Sequence, residues 1–366
     1  KTVLLPGEPI PYTDFNELLY SVLEFIHKYV DIDKDFEIVC AYYVILTWVY
    51  EQFNTLPYLR VIGQYSSGKT RWLQTIGSLC YHPIFMNGAT SAASMFRMID
   101  DLEGTVVYDE ADFEYQSDMR SNFTKIMNSG YSKGFPIHKT EGDNIYAVRT
   151  YNVFGPKIVA SRERFKDKAL ESRFIARVLT NKQPRKDIPL NLGSDFDEES
   201  RIIRSKLLMY RLKNSRKLSD KPFTHIPNIP MRFNQIMEPL VALMDNIDHV
   251  YSLRSVIVDH YKQIKGQESD LLEAKVFQVI YTDYMMKGVN KILISDISAI
   301  VNKDELFKDT TNPKLIGSCL RNKLSIEPKK GAGNKSYIDI GPLKDHLESL
   351  SLQYIIQDDE SAEELS

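Results

Sequence analysis

The stretch "GQYSSGKT", Gly63 to Thr70, decides how the rest of this chain is interpreted. It follows the strand-like "LRVI" and opens the helical pattern "TRWLQTIGSLC", which is the context that a phosphate-binding loop requires. Backbone N–H groups and the N-terminus of the following helix would cradle the phosphates, Lys69 would contact the β- and γ-phosphates, and the Thr70 hydroxyl would bind Mg²⁺. We therefore predict that ATP and Mg²⁺ are the ligands and that these residues bind them: Gly63, Ser66, Ser67, Gly68, Lys69, Thr70 and Arg71.

An acidic pair follows the apolar segment "GTVVY" further along the chain. Asp109 and Glu110 come at the end of this predicted strand, and an acid in that position can face a bound Mg²⁺. Asp109 would hold the metal, and Glu110 would polarise the attacking water. The alternative is a strand that ends in a solvated acidic turn. The pair favours hydrolysis of the nucleotide over binding alone.

The overall charge of the chain gives no general attraction to nucleic acid. The 366 residues carry 46 basic and 49 acidic side chains, for a net charge of -3, in an ordinary globular composition with 43% hydrophobic residues. Any binding to DNA must therefore come from locally placed basic groups.

The cysteines and the apolar segments indicate a cytoplasmic protein with no membrane partner. Cys40, Cys80 and Cys319 are too far apart for a disulfide framework or a Cys-x-x-Cys metal site. The longest apolar run, Ile38 to Tyr50, is shorter than the roughly 20 residues that a transmembrane helix needs, and we predict a buried helix. No signal peptide precedes it, and a start at Lys1 suggests part of a longer protein.

Alternating short apolar runs and longer helical patterns predict an α/β core. The strand-like runs are 59–62, 84–86, 105–108, 153–161 and 175–179, and two helical patterns precede them. We predict a helical N-terminal collar over residues 1–55 and an ATPase core with a helical lid over residues 56–265.

The last part of the chain has a different pattern. Residues 266–350 read as helix, strand, two helices and then two strands around "KKGAGN", an order that resembles a winged helix. Residues 351–366 form an acidic tail that we expect to be disordered.

The segment "FGPKIVASRERFKDKALESRFIARV" carries a more specific resemblance. With the phosphate loop and the acidic pair, it resembles the AAA+ ATPases, and more narrowly the minichromosome-maintenance-like and related replicative helicases of mobile elements such as phages, plasmids and cassettes. In that family a Ser-Arg-Phe before the last core strand supplies an arginine finger to the neighbouring subunit, and Arg173 matches it. The resemblance implies a ring, expected to be a hexamer. Without the resemblance, Arg173 reads as a surface or salt-bridging arginine.

Two further positions follow from the resemblance alone. The family's sensor 1 residue, usually Asn, ends the fourth strand, where this chain has Ser161 followed by Arg162. The segment "MRFNQIMEPLVAL" resembles the lid helix that carries sensor 2, which assigns that role to Arg232.

The stretch "IHKTEGDNIYAV", residues 137–148, reads as a β-hairpin with a basic tip. It lies between Asp109-Glu110 and the Ser161 strand, where the helicase clade of AAA+ proteins inserts a presensor-1 hairpin that grips DNA in the central pore. His138 and Lys139 match that tip, and an ordinary surface hairpin is the alternative.

The expected function is an ATP-dependent DNA helicase in the replication of a mobile genetic element. The winged helix offers further DNA-binding candidates, or serves as a protein-docking module: Lys314, Arg321, Lys329, Lys330 and, on the wing, Lys335. A primase or an origin-binding protein is a further expected partner. Two rival functions stay open, namely a loader or initiator switch that binds DNA without unwinding it, and a protein-remodelling ATPase that uses Phe135 in its pore.

Overall fold

A five-stranded parallel sheet with covering helices organises the first part of the chain, which gives it a mixed α/β fold. The computed structural model describes residues 3–111, 117–140, 148–165, 167–214, 225–226, 229–269, 272–285, 287–304, 307, 311–331 and 335–354. The chain divides into two compact units, Lys1–His260 and Tyr261–Ser366. Residues 1–55, predicted as a separate collar, belong to the same unit as the sheet.

The first unit contains seven strands in its described part. They are β1 (Tyr58–Ile62), β2 (Ile84–Met86), β3 (Val106–Tyr108), β4 (Ile137–Thr140), β5 (Val148–Tyr151), β6 (Lys157–Ser161) and β7 (Phe174–Val178). The central sheet has the order β2-β3-β6-β1-β7, and all of its pairs are parallel. The five runs predicted from sequence thus form one sheet, with ends shifted by up to four residues.

The helices of this unit precede the sheet, connect its strands or follow it. They are α1 (Phe15–Tyr29), α2 (Lys34–Thr47), α3 (Lys69–Leu79), α4 (Ala92–Leu102), α5 (Ser117–Ser129), α6 (Lys168–Glu171), α7 (Ser194–Asn214), α8 (Met231–Val241) and α9 (Ile247–Ser269). The boundary between the two units falls inside α9, slightly before the boundary after residue 265 predicted from sequence.

Helix α2 is the buried helix expected from the longest apolar run. Asp33 caps its N-terminus by accepting a hydrogen bond from the Phe36 N–H at 3.1 Å. Every residue from Phe36 to Thr47 is buried, because this helix is covered on all sides. The Tyr43 hydroxyl donates to the carbonyls of Pro57 and Lys157, which fixes α2 to the starts of β1 and β6.

A fully buried lysine begins strand β6. The Lys157 ammonium donates to the carbonyls of Val153 and Gly155, both at 2.9 Å, and lies 4.9 Å from the centre of the Tyr58 ring. A Cβ at Gly130 would stand 2.5 Å from Lys157 Nζ, so only glycine leaves room for the ammonium there. Burial lowers the pKa of Lys157 from its ordinary value of 10.5 to about 7.

This lysine should make the stability of the fold depend on pH. Unfolding returns the pKa to its ordinary value, so the unfolded chain binds more protons between about pH 7 and pH 10.5. The free energy of unfolding should therefore rise with pH across this window in the wild type, and this increment should be missing in Lys157→Met. Urea unfolding of both proteins at several pH values measures the difference, and parallel pH profiles would contradict it.

The second unit is a small α/β assembly around its own core. It comprises α10 (Leu272–Gln278) with a π-helical continuation (Val279–Met285), β8 (Lys291–Leu293), α11 (Ile294–Val301), α12 (Pro313–Lys323), β9 (Lys329–Lys330), β10 (Ser336–Asp339) and α13 (Lys344–Tyr354). The sheet is antiparallel in the order β8-β10-β9, and its core includes Phe277, Ile297, Leu320 and Ile338.

The predicted acidic tail begins later than expected. Helix α13 continues to Tyr354, so residues 351–354 belong to it, and residues 355–366 lie outside the described residues. Within the described part of the chain, no helix is long and apolar enough to cross a membrane.

Candidate nucleotide-binding site

The predicted phosphate loop joins the end of β1 to the start of α3, at the carboxyl edge of the sheet. The Gly63 N–H donates to the Ser161 carbonyl at 3.1 Å, which fixes the start of the loop to β6. Gly68 has φ +87° at the N-cap of α3, a conformation that favours glycine. A Cβ at Gly63 would stand 2.3 Å from Ser67 Oγ, so glycine is also needed at the start of the loop.

The side chains of the loop have the polar groups that a phosphate needs. The Lys69 ammonium donates to the carbonyls of Gly63 and Gln64 at 2.6 and 2.8 Å, so it lies over the loop. Ser67 Oγ is buried and has no hydrogen-bond partner among the described residues. Ser66 has φ +63°. A concave loop with a lysine above it and an unpaired buried hydroxyl fits an anionic group such as a phosphate.

The acidic pair lies beside the loop. Thr70 Oγ1 donates to Asp109 Oδ2 at 2.9 Å, so both predicted metal ligands meet at one point. Glu110 has φ +59°, a strained value for a residue other than glycine, and its N–H donates to Asp109 Oδ1 at 2.9 Å. Thr70 and Asp109 sit where an Mg²⁺ bound to a nucleotide would need oxygen ligands.

A cavity of about 250 Å³ opens next to this point. Thr70 and Asp109 line it together with Gln74, Asn87 and Thr90. Within the described residues no group of three or more His, Cys, Asp or Glu side chains could hold a metal alone. The remaining ligands of an Mg²⁺ would therefore be oxygens of the nucleotide and of water.

Arg71 and Ser161 have their polar groups engaged within the protein. The Arg71 guanidinium, predicted to bind nucleotide, donates to the carbonyls of Pro189 and Leu190 at 3.0 and 2.6 Å. Ser161 ends β6 next to Gly63, as expected for a sensor 1 position, but its hydroxyl donates to the Glu163 carbonyl at 2.9 Å.

Arg173 lies at the edge of the sheet opposite to the phosphate loop. It directly precedes β7, and its carbonyl accepts from the Tyr58 N–H at the start of β1. The phosphate loop follows the other end of β1, which is about 16 Å away at the usual rise per residue. Arg173 therefore cannot reach the phosphate loop of its own chain.

Arg232, predicted as the sensor 2 residue, lies next to Arg173. The two guanidinium carbons lie 5.3 Å (Arg173) and 5.1 Å (Arg232) from the centre of the Tyr131 ring. Tyr131 is anchored just before β1, where its carbonyl accepts from the Leu56 N–H. Helix α8 begins at Met231, so Arg232 stands in its first turn.

Among the described residues, Arg173 and Arg232 have no carboxylate close enough to form an ion pair, and Asp167 acts on the pKa of Arg173 as the last of its causes. Neither guanidinium forms an ion pair within the part of the chain that the structure describes, and Arg173 Nε is buried without a hydrogen-bond partner there. Burial, with the nearby Arg232 charge, lowers the pKa of Arg173. Two adjacent guanidinium groups that form no ion pair in the described part of the chain suit a strongly anionic ligand.

The predicted hairpin is present as the antiparallel pair β4-β5, but Lys139 is not at its tip. Lys139 lies within β4, with Nζ 3.9 Å from the centre of the Phe96 ring on α4 and 3.4 Å from Asn122 Oδ1. Its cross-strand partner Arg149 lies 3.3 Å from Asp101 of α4. Side chains alternate along a strand, and this register turns both cations toward α4. The turn, residues 141–147, lies outside the described residues.

His138 occupies the opposite, exposed face of the hairpin. Its Nδ1 lies 2.9 Å from the hydroxyl of Thr150, the residue directly across from it.

The basic candidates of the second unit are exposed. Lys314 and Arg321 lie on the same face of α12, seven residues apart, and Lys329 and Lys330 form β9. Lys329 is partly neutralised by Asp339 at 3.3 Å. Lys335, just before β10, is also exposed.

Sequence reasoning missed Tyr131, Arg60 and Glu171. Tyr131 lies in a loop with no motif, and Arg60 is hidden inside an apolar strand pattern. Glu171 directly precedes the Ser-Arg-Phe segment, and that position was the available signal.

No protein-family model matches this chain, and no curated protein matches it by sequence. Solved structures similar to it include the apo A form of the NrS-1 C-terminal region, with 11% identity, a TM-score of 0.45, and coverage of 92% of this chain and 77% of that one. The JCV helicase is 18% identical, with a TM-score of 0.31 over 64% of this chain and 61% of that one. Thermotoga maritima RuvB is 11% identical, with a TM-score of 0.26 over 87% and 96%. Because every TM-score lies below 0.5, none of these likenesses decides the function of this chain.

Proposed function

We propose that this chain is an ATP-dependent DNA motor of the AAA+ type, acting as a helicase in a ring of identical subunits. The observation that supports this best is the position of Arg173 and Arg232. Neither forms an ion pair within the described residues, and they lie at the edge of the sheet opposite to the phosphate loop. Each chain thus carries an anion-binding loop at one edge and an anion-seeking arginine pair at the other.

Such a chain can complete a nucleotide site only with a second copy. Head-to-tail contact between unlike surfaces brings the arginine pair of one copy to the phosphate loop of the next, and it closes into a ring when the rotation permits. The resemblance to the replicative helicases implies six subunits. The same resemblance makes replication of a mobile element, with a primase or an origin-binding partner, the setting that we propose.

In this proposal each residue of the nucleotide site has its own role. Lys69 neutralises the β- and γ-phosphates, and Glu110 orients and polarises the attacking water. Thr70 and Asp109 hold Mg²⁺, which when bound screens the charge of the phosphates. Arg173, and in our revised assignment Arg232, stabilise the charge that develops on the γ-phosphate of the neighbouring copy.

DNA would be held by the β4-β5 hairpin and by the basic residues of the second unit. Lys139 and Arg149 fix the described strands of the hairpin on α4, which leaves the exposed His138 to meet DNA. Lys314, Arg321, Lys329 and Lys330 supply phosphate contacts if the second unit acts as a winged helix.

Strand displacement on forked duplexes tests this function. The duplexes carry either a 3′ or a 5′ single-stranded tail, and Lys69→Ala is the inactive control. We expect unwinding that needs ATP and Lys69, with the 3′-tailed fork preferred because the minichromosome-maintenance group implies that polarity. Duplex binding with slow ATP hydrolysis and no unwinding would favour the loader or initiator instead.

The hairpin gives a second expected result. Replacing Lys139 with Ala should loosen the hairpin from Phe96 and Asn122, so stimulation of the ATPase by DNA, and unwinding, should fall several-fold while basal hydrolysis stays nearly unchanged. Lys125→Ala, which removes an exposed lysine on α5, is the matched control. An equal loss of basal and stimulated activity would indicate a folding defect.

A second candidate function rests on Phe135. This side chain is 66% exposed just before β4, after Gly134 with φ +86°, so an aromatic ring stands near the hairpin as it would in a pore that threads polypeptide. If the chain remodels proteins, Phe135→Ala should reduce stimulation of the ATPase by an unfolded protein, and Lys139→Ala should leave stimulation by DNA unchanged.

A further inference from the structure

A buried ionic cluster joins the phosphate-loop strand to the segment that ends at Arg173. Its centre is Arg60, in the middle of β1 and fully buried. The Arg60 guanidinium packs against the contacting rings of Phe165 and Phe174, with its central carbon 4.7 Å from each ring centre. A fully buried planar cation that contacts two aromatic rings has little freedom to move.

Glu171 is the carboxylate of this cluster. It accepts hydrogen bonds from Arg60 Nη2, from Arg164 Nη1 at 3.0 Å and from the Phe165 N–H at 3.0 Å. His260 Nε2 lies 3.5 Å from the same carboxylate. Burial lowers the pKa of His260 to about 4, so the imidazole is neutral at pH 7.

The cluster connects both functional edges of the sheet. Arg60 is three residues before Gly63, and Arg164 is three residues after Ser161. Glu171 is two residues before Arg173, whose Nη1 donates to the carbonyl of Ala169 in the same short helix, α6. The segment between β6 and β7 is thus clamped by one carboxylate to the strand that carries the phosphate loop.

We propose that Glu171 and Arg60 are positioning residues for Arg173, which hold the α6 turn so that its guanidinium is aimed at the nucleotide of a second copy of this chain. This inference rests on the proposed function, in which Arg173 acts between subunits.

The buried ion pair contributes a precise geometry for Arg173 rather than stability of the fold. A buried ion pair returns little net stability, because taking two charges out of water costs about as much as their attraction returns, but it admits few alternative geometries. A catalytic group displaced by about 1 Å can lose about 10² in rate. A rigid link from β1 to α6 would therefore keep the Arg173 guanidinium in the position that the neighbouring nucleotide requires.

The first test uses Glu171→Gln and the double variant Arg60→Met with Glu171→Gln. The double variant leaves no unpaired charge at position 60, and its amide oxygen can still accept from Arg164 and Phe165, so it guards against simple misfolding. Glu199→Gln, a carboxylate that joins α1 and α7 through Lys28 and Tyr29, is the control. Both test variants should bind a non-hydrolysable ATP analogue like the wild type and hydrolyse ATP at least about tenfold more slowly.

Mixing experiments separate positioning from a general structural role. In equimolar mixture with Glu110→Gln, which keeps an intact Arg173, each test variant should regain activity because its own phosphate loop receives a well-aimed arginine. In mixture with Arg173→Ala, neither should regain activity, because no subunit then supplies that arginine correctly.

The outcomes distinguish this inference from the proposed function. Wild-type hydrolysis by the double variant, its loss of nucleotide binding, or its failure to be rescued by Glu110→Gln would each overturn the positioning role, provided that Arg173→Ala itself is rescued. If Arg173→Ala is not rescued either, action between subunits fails, and the positioning role fails with it.

Discussion

Replacing Arg173 with Ala should slow ATP hydrolysis by about 10³–10⁵-fold, the usual contribution of an arginine finger, and leave ATP binding unchanged. Binding is spared because Arg173 stands at the far edge of the sheet from the phosphate loop of its own chain. Single-turnover hydrolysis and equilibrium binding of a non-hydrolysable analogue measure the two quantities separately.

The same variant tests whether catalysis is shared between copies. A mixture of Arg173→Ala with Glu110→Gln should recover part of the activity, since the first protein offers an intact loop and the second an intact arginine. Arg201→Ala, which removes an exposed arginine paired with Glu198 on α7, should have little effect. No recovery at any mixing ratio would count against a ring.

Replacing Glu110 with Gln should reduce hydrolysis by about 10²–10⁴-fold, the range for loss of a general base. The amide has the same size, so the strained φ of +59° and the hydrogen bond from the Glu110 N–H to Asp109 should persist. ATP binding should therefore be retained or strengthened, and the protein should remain in its ATP-bound form. Release of radiolabelled phosphate measures the loss of hydrolysis, and retention of the nucleotide on a filter measures ATP binding.

Glu103→Gln is the matched control for this change. Glu103 is also an exposed glutamate with a positive φ, of 42°, but it ends α4 rather than β3. Its replacement should leave hydrolysis unchanged. Equal losses from both variants would show that the effect is not specific to the carboxylate after β3, and they would count against Glu110 as the base.

The sequence by itself determined the phosphate loop, the acidic pair and the five strands of the parallel sheet. Each of these features can be recognised from a segment of about ten residues. The segments contain Gly63 and Gly68, a lysine and a threonine at a helix start, and two acids after a strand. Thr70 and Asp109 could be paired in advance because strands of a parallel sheet end at one edge.

Only the tertiary structure decided where the basic residues point. The pairing register of the two strands puts Lys139 and Arg149 on one face of the hairpin, and the packing of α4 turns this face inward. Arg232 at the start of α8 lies next to Arg173 at the start of β7. Glu171 contacts Arg60, which is 111 residues away in sequence. A long charged side chain can reach several partners, and only the packing of distant segments selects one of them.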